Sequence, residues 1–310
     1  MLKKFFPDDA PWGSPTYHDT PAPPDYVYTK ENRPDEEEKS LIKKTYGDLK
    51  LSSIVCSLLF LAINTRSDLL WAVGKLSKAC SNPSMVDYAA AFWTLGYLRK
   101  YHDWGIKIYA DPEQSWFYKI CKNNKITPTS LGAMSDSSFQ DCPDTGRSTS
   151  GYKLFYRGSL MEAESSMPVP VAQSSAEAEY MGGCKGALAL AHMRELTYDL
   201  EFLGTKTYDT NMVHGEVPSL LLVDNQATVA MSKSYKITKK NRHIARRYHY
   251  VKEGEKRGDH MVEWIDSNDM LSDDLTKTQE SSKSLPHMKR TLVQIPDYVR
   301  GYKSNAVGNR

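Results

Sequence analysis

Four acidic residues of this 310-residue chain combine a reactive side-chain type with a position at the edge of an expected element: Asp136, Glu179, Asp224 and Asp273. Asp136 ends an expected strand in Met134-Ser135-Asp136-Ser137-Ser138, where small neighbours leave room for a ligand beside the carboxylate. Asp224 follows the all-apolar run Leu220-Leu221-Leu222-Val223 and leads into Asn225-Gln226. It therefore stands at a strand's carboxyl end, where ligands of open α/β sheets gather, although Asp is also a good helix N-cap. In Ser174-Ser175-Ala176-Glu177-Ala178-Glu179-Tyr180, the Ser174 and Glu177 spacing fits a capping box, which gives Glu177 a structural task. Glu179 lies about 200° further round the helix, on a face shared with Gly182, Gly183 and Gly186 that something could approach closely. Asp273 and Asp274 open an expected final helix, where the helix dipole favours acids. The four are 43, 45 and 49 residues apart, each beside the same expected sheet. Carboxylates without His or Cys partners suit hard divalent cations such as Mg²⁺ or Mn²⁺. Two such ions about 4 Å apart support in-line attack of water on a phosphodiester.

The elements that would position these groups follow from periodicity. Strands are expected at Ser130–Ser135, Gly151–Tyr156, Val169–Ala172, Leu220–Val223 and His260–Ile265, and helices at Ala176–Leu203, Gln226–Ser232, Arg242–Lys256 and Asn268–Lys277. Three strands followed by alternating helices and strands predict a mixed α/β sheet with its antiparallel part first. Four regions are expected. Residues 1–40, rich in Pro and ending in Asp35 to Glu38, form an extended arm. Residues 41–104 form a small all-helical unit, with Leu58, Leu59 and Ala62, then Leu69, Leu70, Val73 and Leu76, at spacings of three and four. Residues 105–278 form the α/β domain, and residues 279–310 a mostly irregular tail containing Pro286 and Pro296.

Composition narrows the classes. A hydrophobic share of 40% excludes a wholly disordered chain. The charges nearly balance, at net +2, so any nucleic-acid partner must be held by local basic patches. The densest patch is Lys236, Lys239, Lys240, Arg242, His243, Arg246 and Arg247, with tyrosines interleaved; phosphates are its natural partner, and a solvated helix face the bland alternative. His243 is also a candidate for a mobile imidazole beside the site. The longest apolar run, Ile54 to Ile63, is too short for a bilayer, and Pro7, Asp8 and Asp9 stand where a signal peptide would place its apolar stretch, so neither a membrane partner nor secretion is expected. Five cysteines without a Cys-x-x-Cys pair read as reduced and structural.

The wording of the motifs resembles the ribonuclease H region of copia-type retrotransposon polyproteins. Met134-Ser135-Asp136 resembles "YSDADW", Arg147 to Tyr152 resembles "RSTSGY", and Ser174 to Tyr180 resembles "SSTEAEY". Asp224-Asn225-Gln226 resembles "DNQ", Arg242 to His249 resembles "KHIDIRYH", and Leu271 to Lys277 resembles "LADILTK". Upstream, Ser53 to Ala62, Thr65 to Asp68 and Ala72-Val73 resemble the segment between polymerase palm and ribonuclease H, so the likeness covers roughly residues 45–278.

The resemblance implies a ribonuclease H-like fold, a mixed five-stranded sheet with flanking helices preceded by a thumb or connection-like helical unit. It implies Asp136, Glu179, Asp224 and Asp273 as catalytic ligands of two Mg²⁺ or Mn²⁺ ions, Asp136 bridging both. The implied substrate is the RNA strand of an RNA/DNA hybrid, the implied partners are the polymerase and integrase parts of a polyprotein, and the implied setting is intracellular, in a cytoplasmic virus-like particle or the nucleus. No polymerase active site is expected, because Pro7, Pro11 and Pro15 break the flanks of Phe6-Pro7-Asp8-Asp9. The order Asp, Glu, Asp, Asp argues against an integrase. Asp274 replaces an apolar residue of the family pattern, so both Asp273 and Asp274 stand as the fourth ligand. Glu162 and Glu164 lie where relatives carry basic residues, and Gly182-Gly183 replaces an Ala-Leu type pair. A noncatalytic nucleic-acid-binding remnant is the competing reading.

Overall fold

In the computed structural model, residues 2–5, 16–31, 33–202, 217–233 and 249–296 are described. The chain divides into two units, residues 1–107 with 278–310, and residues 108–277.

The helices of the first unit include α1 (Glu36–Tyr46), α2 (Leu51–Asn64), α3 (Leu70–Ser77) and α4 (Met85–Lys100). The acidic run expected to close an extended arm instead opens α1: Asp35 accepts from the Glu38 N–H at 2.8 Å, and three glutamates occupy the first turn, where the dipole favours them. The described part of the expected arm is packed, with Thr20, Ala22 and Tyr26 buried. The reason lies in Asp87, a buried carboxylate in the capping box of α4. The Tyr26 hydroxyl donates to it at 2.7 Å, Arg33 pairs with it at 3.0 Å, and the Ser84 N–H donates at 2.8 Å. A buried charge demands such partners, and the arm supplies two of them.

The tail expected to be irregular contains a helix, Ser281–Thr291, and a short strand, Leu292–Gln294, that pairs antiparallel with Trp104–Ile106. Pro286 inside the helix masks its pattern, yet the buried positions Ser284, His287, Met288 and Thr291 keep the i, i+3, i+4, i+7 spacing of one helical face. Among the described residues no single helix is long and apolar enough to cross a membrane.

The second unit opens with α5 (Trp116–Asn123) and carries β1 (Leu131–Ser138), β2 (Thr149–Tyr156), β3 (Ser159–Ser166), α6 (Ser175–Phe202), β4 (Ser219–Val223), α7 (Gln226–Lys233), α8 (His249–Arg257) and β5 (His260–Trp264). The strands form one sheet in the order β3-β2-β1-β4-β5, antiparallel among the first three and parallel from β1 to β5. This is the mixed five-stranded sheet with flanking helices that the sequence implies. Side chains alternate between two cores. Leu131, Ala133, Leu154, Leu221 and Val223 pack with Tyr180, Cys184 and Leu190 of α6. Met134, Phe155, Leu220 and Leu222 face the other way, toward Phe117 and Ile120 of α5 and Met270 and Leu271. The apolar run Leu220 to Val223 is thus buried on both faces, as a parallel strand between two helical layers must be.

Two expected elements move. The third strand is Ser159–Ser166, not Val169–Ala172, which is not a strand and leaves Val169 three-quarters exposed. β3 is an edge strand reached from β2 through Arg157 and Gly158, both at positive φ, a two-residue turn whose twist suits a hairpin. The helix expected at Asn268–Lys277 is two short 3₁₀ turns, Ser267–Asp269 and Asp273–Leu275. Met270, Leu271 and Ser272 are buried consecutively, which no single helical face allows.

Replacing Asp87 with Ala should lower the unfolding free energy by about 3–5 kcal/mol, because Arg33 loses its carboxylate and α4 its capping partner. Urea denaturation checks this, and a loss below about 1 kcal/mol would contradict the account of the packed arm.

Candidate active site

Parallel pairing alone brings two of the acids together. Gly132, Ala133 and Met134 of β1 lie opposite Leu220, Leu221 and Leu222 of β4. Continuing that register by two residues brings Asp136 level with Asp224, on neighbouring strands about 4.8 Å apart. Asp136 does not end its strand; β1 runs on to Ser138, and Asp136 sits opposite Gly151 of β2. Asp224 is not the cap of α7. Asn225 takes that task, its Oδ1 accepting from the N–H groups of Ala227 at 2.9 Å and Thr228 at 3.2 Å.

Glu179 arrives from α6. The helix begins with Ser174 Oγ accepting from the Glu177 N–H at 3.2 Å, while Glu177 reaches back to the Gln173 N–H at 2.7 Å, one residue earlier than a standard capping box. Gly182, one turn on, is needed because the helix there lies almost against β1. A Cβ on Gly182 would stand 2.4 Å from Ser137 Oγ and 3.1 Å from Ser135 Oγ. The close approach expected of this face is therefore made by the strand that carries Asp136.

One carboxylate oxygen from each of Asp136, Glu179 and Asp224 lies within 4.8 Å of the others. Asp136 and Glu179 are buried. Burial and the neighbouring charge of Asp273 push the Asp136 carboxyl up to about 6, although the Thr276 hydroxyl donates to its Oδ2 and Lys277 is near. Burial, with the charges of Asp136 and Asp224, pushes Glu179 up to about 9. Glu179 Oε2 is buried and, among the described residues, has no hydrogen-bond partner. Three converging carboxylates with an unanswered buried oxygen fit a hard divalent cation in both donor type and charge.

The ambiguity between Asp273 and Asp274 has a geometric basis. Asp274 turns to Lys153, a fully buried lysine of β2 whose Nζ pairs with it at 2.7 Å and donates to the Leu271 carbonyl at 2.7 Å. Asp273 faces the other way, close enough to Asp136 to perturb it, and pairs with Lys277 at 2.6 Å. Burial depresses the Lys277 ammonium, but the hydrogen bond to Asp273 and the charges of Asp136, Asp273 and Asp224 more than offset this and raise it. Gly151 lets the turn lie against the sheet, since a Cβ there would stand 2.4 Å from Leu275 Cβ.

Lys153, Thr276 and Lys277 had no site role in the sequence reading. A lysine within the strand stretch Gly151-Tyr152-Lys153-Leu154 was the available signal for the first. Lys236, Lys239, Lys240, Arg242, His243, Arg246 and Arg247 lie outside the described residues. At the sheet edge, Glu164 pairs with Lys185 at 2.9 Å and Glu162 accepts from the Tyr152 hydroxyl at 2.5 Å.

No family model matches the chain. It is 26% identical over 248 residues to the Retrovirus-related Pol polyprotein from transposon TNT 1-94 of Nicotiana tabacum, covering 80% of this chain and 16% of that protein. To the Retrovirus-related Pol polyprotein from transposon RE2 of Arabidopsis thaliana it is 29% identical over 224 residues, 72% of this chain and 14% of the relative. Its homologues thus include Pol polyproteins of copia-type plant retrotransposons. It spans about one-sixth or less of the length of these Pol relatives. The chain is also 30% identical over 129 residues to Secreted RxLR effector protein 161 of Plasmopara viticola, 42% of this chain and 80% of that protein. Among solved structures, an N-terminal RNase H domain from Mycobacterium tuberculosis is similar at 13% identity and a TM-score of 0.31, over 51% of this chain and 96% of that one.

Two outcomes test the site. The Glu179 carboxyl rises from about 4.5 to about 9 on folding, so the folded chain holds the proton more tightly. Metal-free stability should therefore be full below about pH 4.5 and fall as pH climbs toward about 9. E179Q should remove about 1–3 kcal/mol of that fall, read as a flatter profile of unfolding free energy against pH. Lys153→Met should cost about 3–5 kcal/mol by stranding Asp274, whereas Lys153→Met with Asp274→Leu should recover most of it. Equal losses in the single and double variants would contradict the buried pair.

Proposed function

We propose that residues 108–277 act as a divalent-metal-dependent endoribonuclease on the RNA strand of RNA/DNA hybrids, as part of a copia-type polyprotein. The observation that carries the reading is the buried carboxylate group of Asp136, Glu179 and Asp224, with its unpartnered Glu179 oxygen. Similarity to the Pol polyproteins of plant retrotransposons supports it. The hybrid, the polymerase and integrase parts, and an intracellular setting belong to the same proposal.

Two bound Mg²⁺ or Mn²⁺ ions would supply Lewis acidity at the scissile phosphate and acidify a water. Asp136, Glu179 and Asp224 would hold one ion, and Asp136 with Asp273 the other. Glu179, raised to about 9, keeps its proton at neutral pH until a cation replaces it. The Thr276 hydroxyl fixes the rotamer of Asp136, and the Lys153 pair holds the turn that presents Asp273. Water adds to phosphorus as the bond to the 3′ oxygen breaks, leaving a 3′-hydroxyl and a 5′-phosphate. Lys236, Lys239, Lys240, Arg242, His243, Arg246 and Arg247 are proposed to grip backbone phosphates, and 2′-hydroxyl contacts would distinguish RNA from DNA.

In a second reading the fold is kept for nucleic-acid binding without turnover. A labelled RNA/DNA hybrid incubated with purified chain and Mg²⁺ separates the two. Cleavage should occur, and Asp136→Asn should slow it at least about 100-fold while hybrid binding persists. Binding without cleavage in either Mg²⁺ or Mn²⁺ would establish the remnant reading instead.

A further inference from the structure

We propose that Lys277 is a resident cation of the carboxylate site, which holds Asp273 until a second divalent ion displaces it. This inference rests on the nuclease reading and adds an order to its metal binding. Asp273 and Lys277 are four residues apart across the Asp273–Leu275 turn, with Nζ and Oδ1 at 2.6 Å. The ammonium is not confined to that one partner, for its field reaches Asp136, Glu179 and Asp224 as well.

The two lysines beside the Asp273-Asp274 pair differ in a way that assigns them different tasks. The Lys153 side chain is 0% exposed and bonded to both a carboxylate and a carbonyl, a fixed anchor. The Lys277 side chain is 53% exposed on a flexible stem, while Asp273 is 13% exposed. Lys277 can swing toward solvent without uncovering any core, and Asp273 cannot follow it. An ion entering between Asp136, Glu179 and Asp224 breaks no ion pair on those residues among the described ones. An ion claiming Asp273 competes with Lys277 for the carboxylate. The two binding events are therefore unequal and sequential, and the metal-free site keeps a cation of its own in the later position.

Calorimetric titration of the full chain with Mn²⁺, at constant pH and ionic strength, tests the idea on wild type, Lys277→Gln and Lys277→Arg. Wild type should take up two ions, the second more weakly. In Lys277→Gln the second should tighten by about tenfold, since its competitor is gone, and Lys277→Arg should keep the weak second event. Uptake of only one ion by wild type but two by Lys277→Gln supports the proposal equally. Two ions with an unchanged or weaker second event in Lys277→Gln, or one ion in both, overturns it while leaving the carboxylate site intact. No uptake by any variant sinks the nuclease reading and this inference with it. Thermal melts of each variant confirm that the proteins compared are folded.

Discussion

Like charges do not gather in a protein interior unless something rigid holds them there. Asp136, Glu179 and Asp224 are brought within reach of one another at a point where two are buried, and their mutual repulsion must be sustained by the surrounding structure. That structure is a parallel strand pair whose hydrogen-bonded register levels two of the acids, and a long helix pressed against one of those strands to deliver the third. The helix can come so close only because residue 182 lacks a Cβ. Sheet register and the α6 to β1 distance therefore set the geometry of the site, and the rest of the unit serves to keep both from relaxing.

A second regularity runs through the site. At three of the four acidic positions a neighbouring residue takes on a structural bond and leaves the acid free of it. Glu177 serves the start of α6 while Glu179 faces inward. Asn225 caps α7 while Asp224 turns to its partners. Asp274 binds the buried Lys153 while Asp273 meets Lys277 beside Asp136. Helix starts and tight turns need side-chain acceptors for their first N–H groups, so an acid placed at such a point alone would be consumed by it. Doubling the acceptor resolves the conflict between building the element and furnishing the site.

The first unit shows the same physics away from the carboxylate cluster. Asp87 is as deeply buried as the site acids, yet Tyr26, Arg33 and the Ser84 N–H answer it fully. Arg66 and Asp68 form another buried pair, at 2.8 Å, with the Tyr97 hydroxyl donating to the same carboxylate at 2.7 Å. The contrast with Glu179, whose buried oxygen has no partner among the described residues, separates a structural acid from one available to a ligand.

Sequence by itself determined whatever depends on residues within one turn or one strand. The Ser174 to Glu177 spacing set Glu179 apart from its neighbour, the unbroken run Leu220 to Val223 marked a strand covered on both faces, and the class of sheet followed from the order of elements. Tertiary structure alone decided the strand at Ser159–Ser166, whose amphipathic edge reads weakly until β2 pairs with it. It also decided that Asn268–Lys277 coils into 3₁₀ turns rather than a helix, and that Pro286 sits inside one. Above all it gave Asp274 to Lys153, more than a hundred residues away, and Asp273 to Lys277. Capping and periodicity act over a few bonds and are written locally. Register, close packing and remote ion pairs arise only when distant segments compete for the same space and charge.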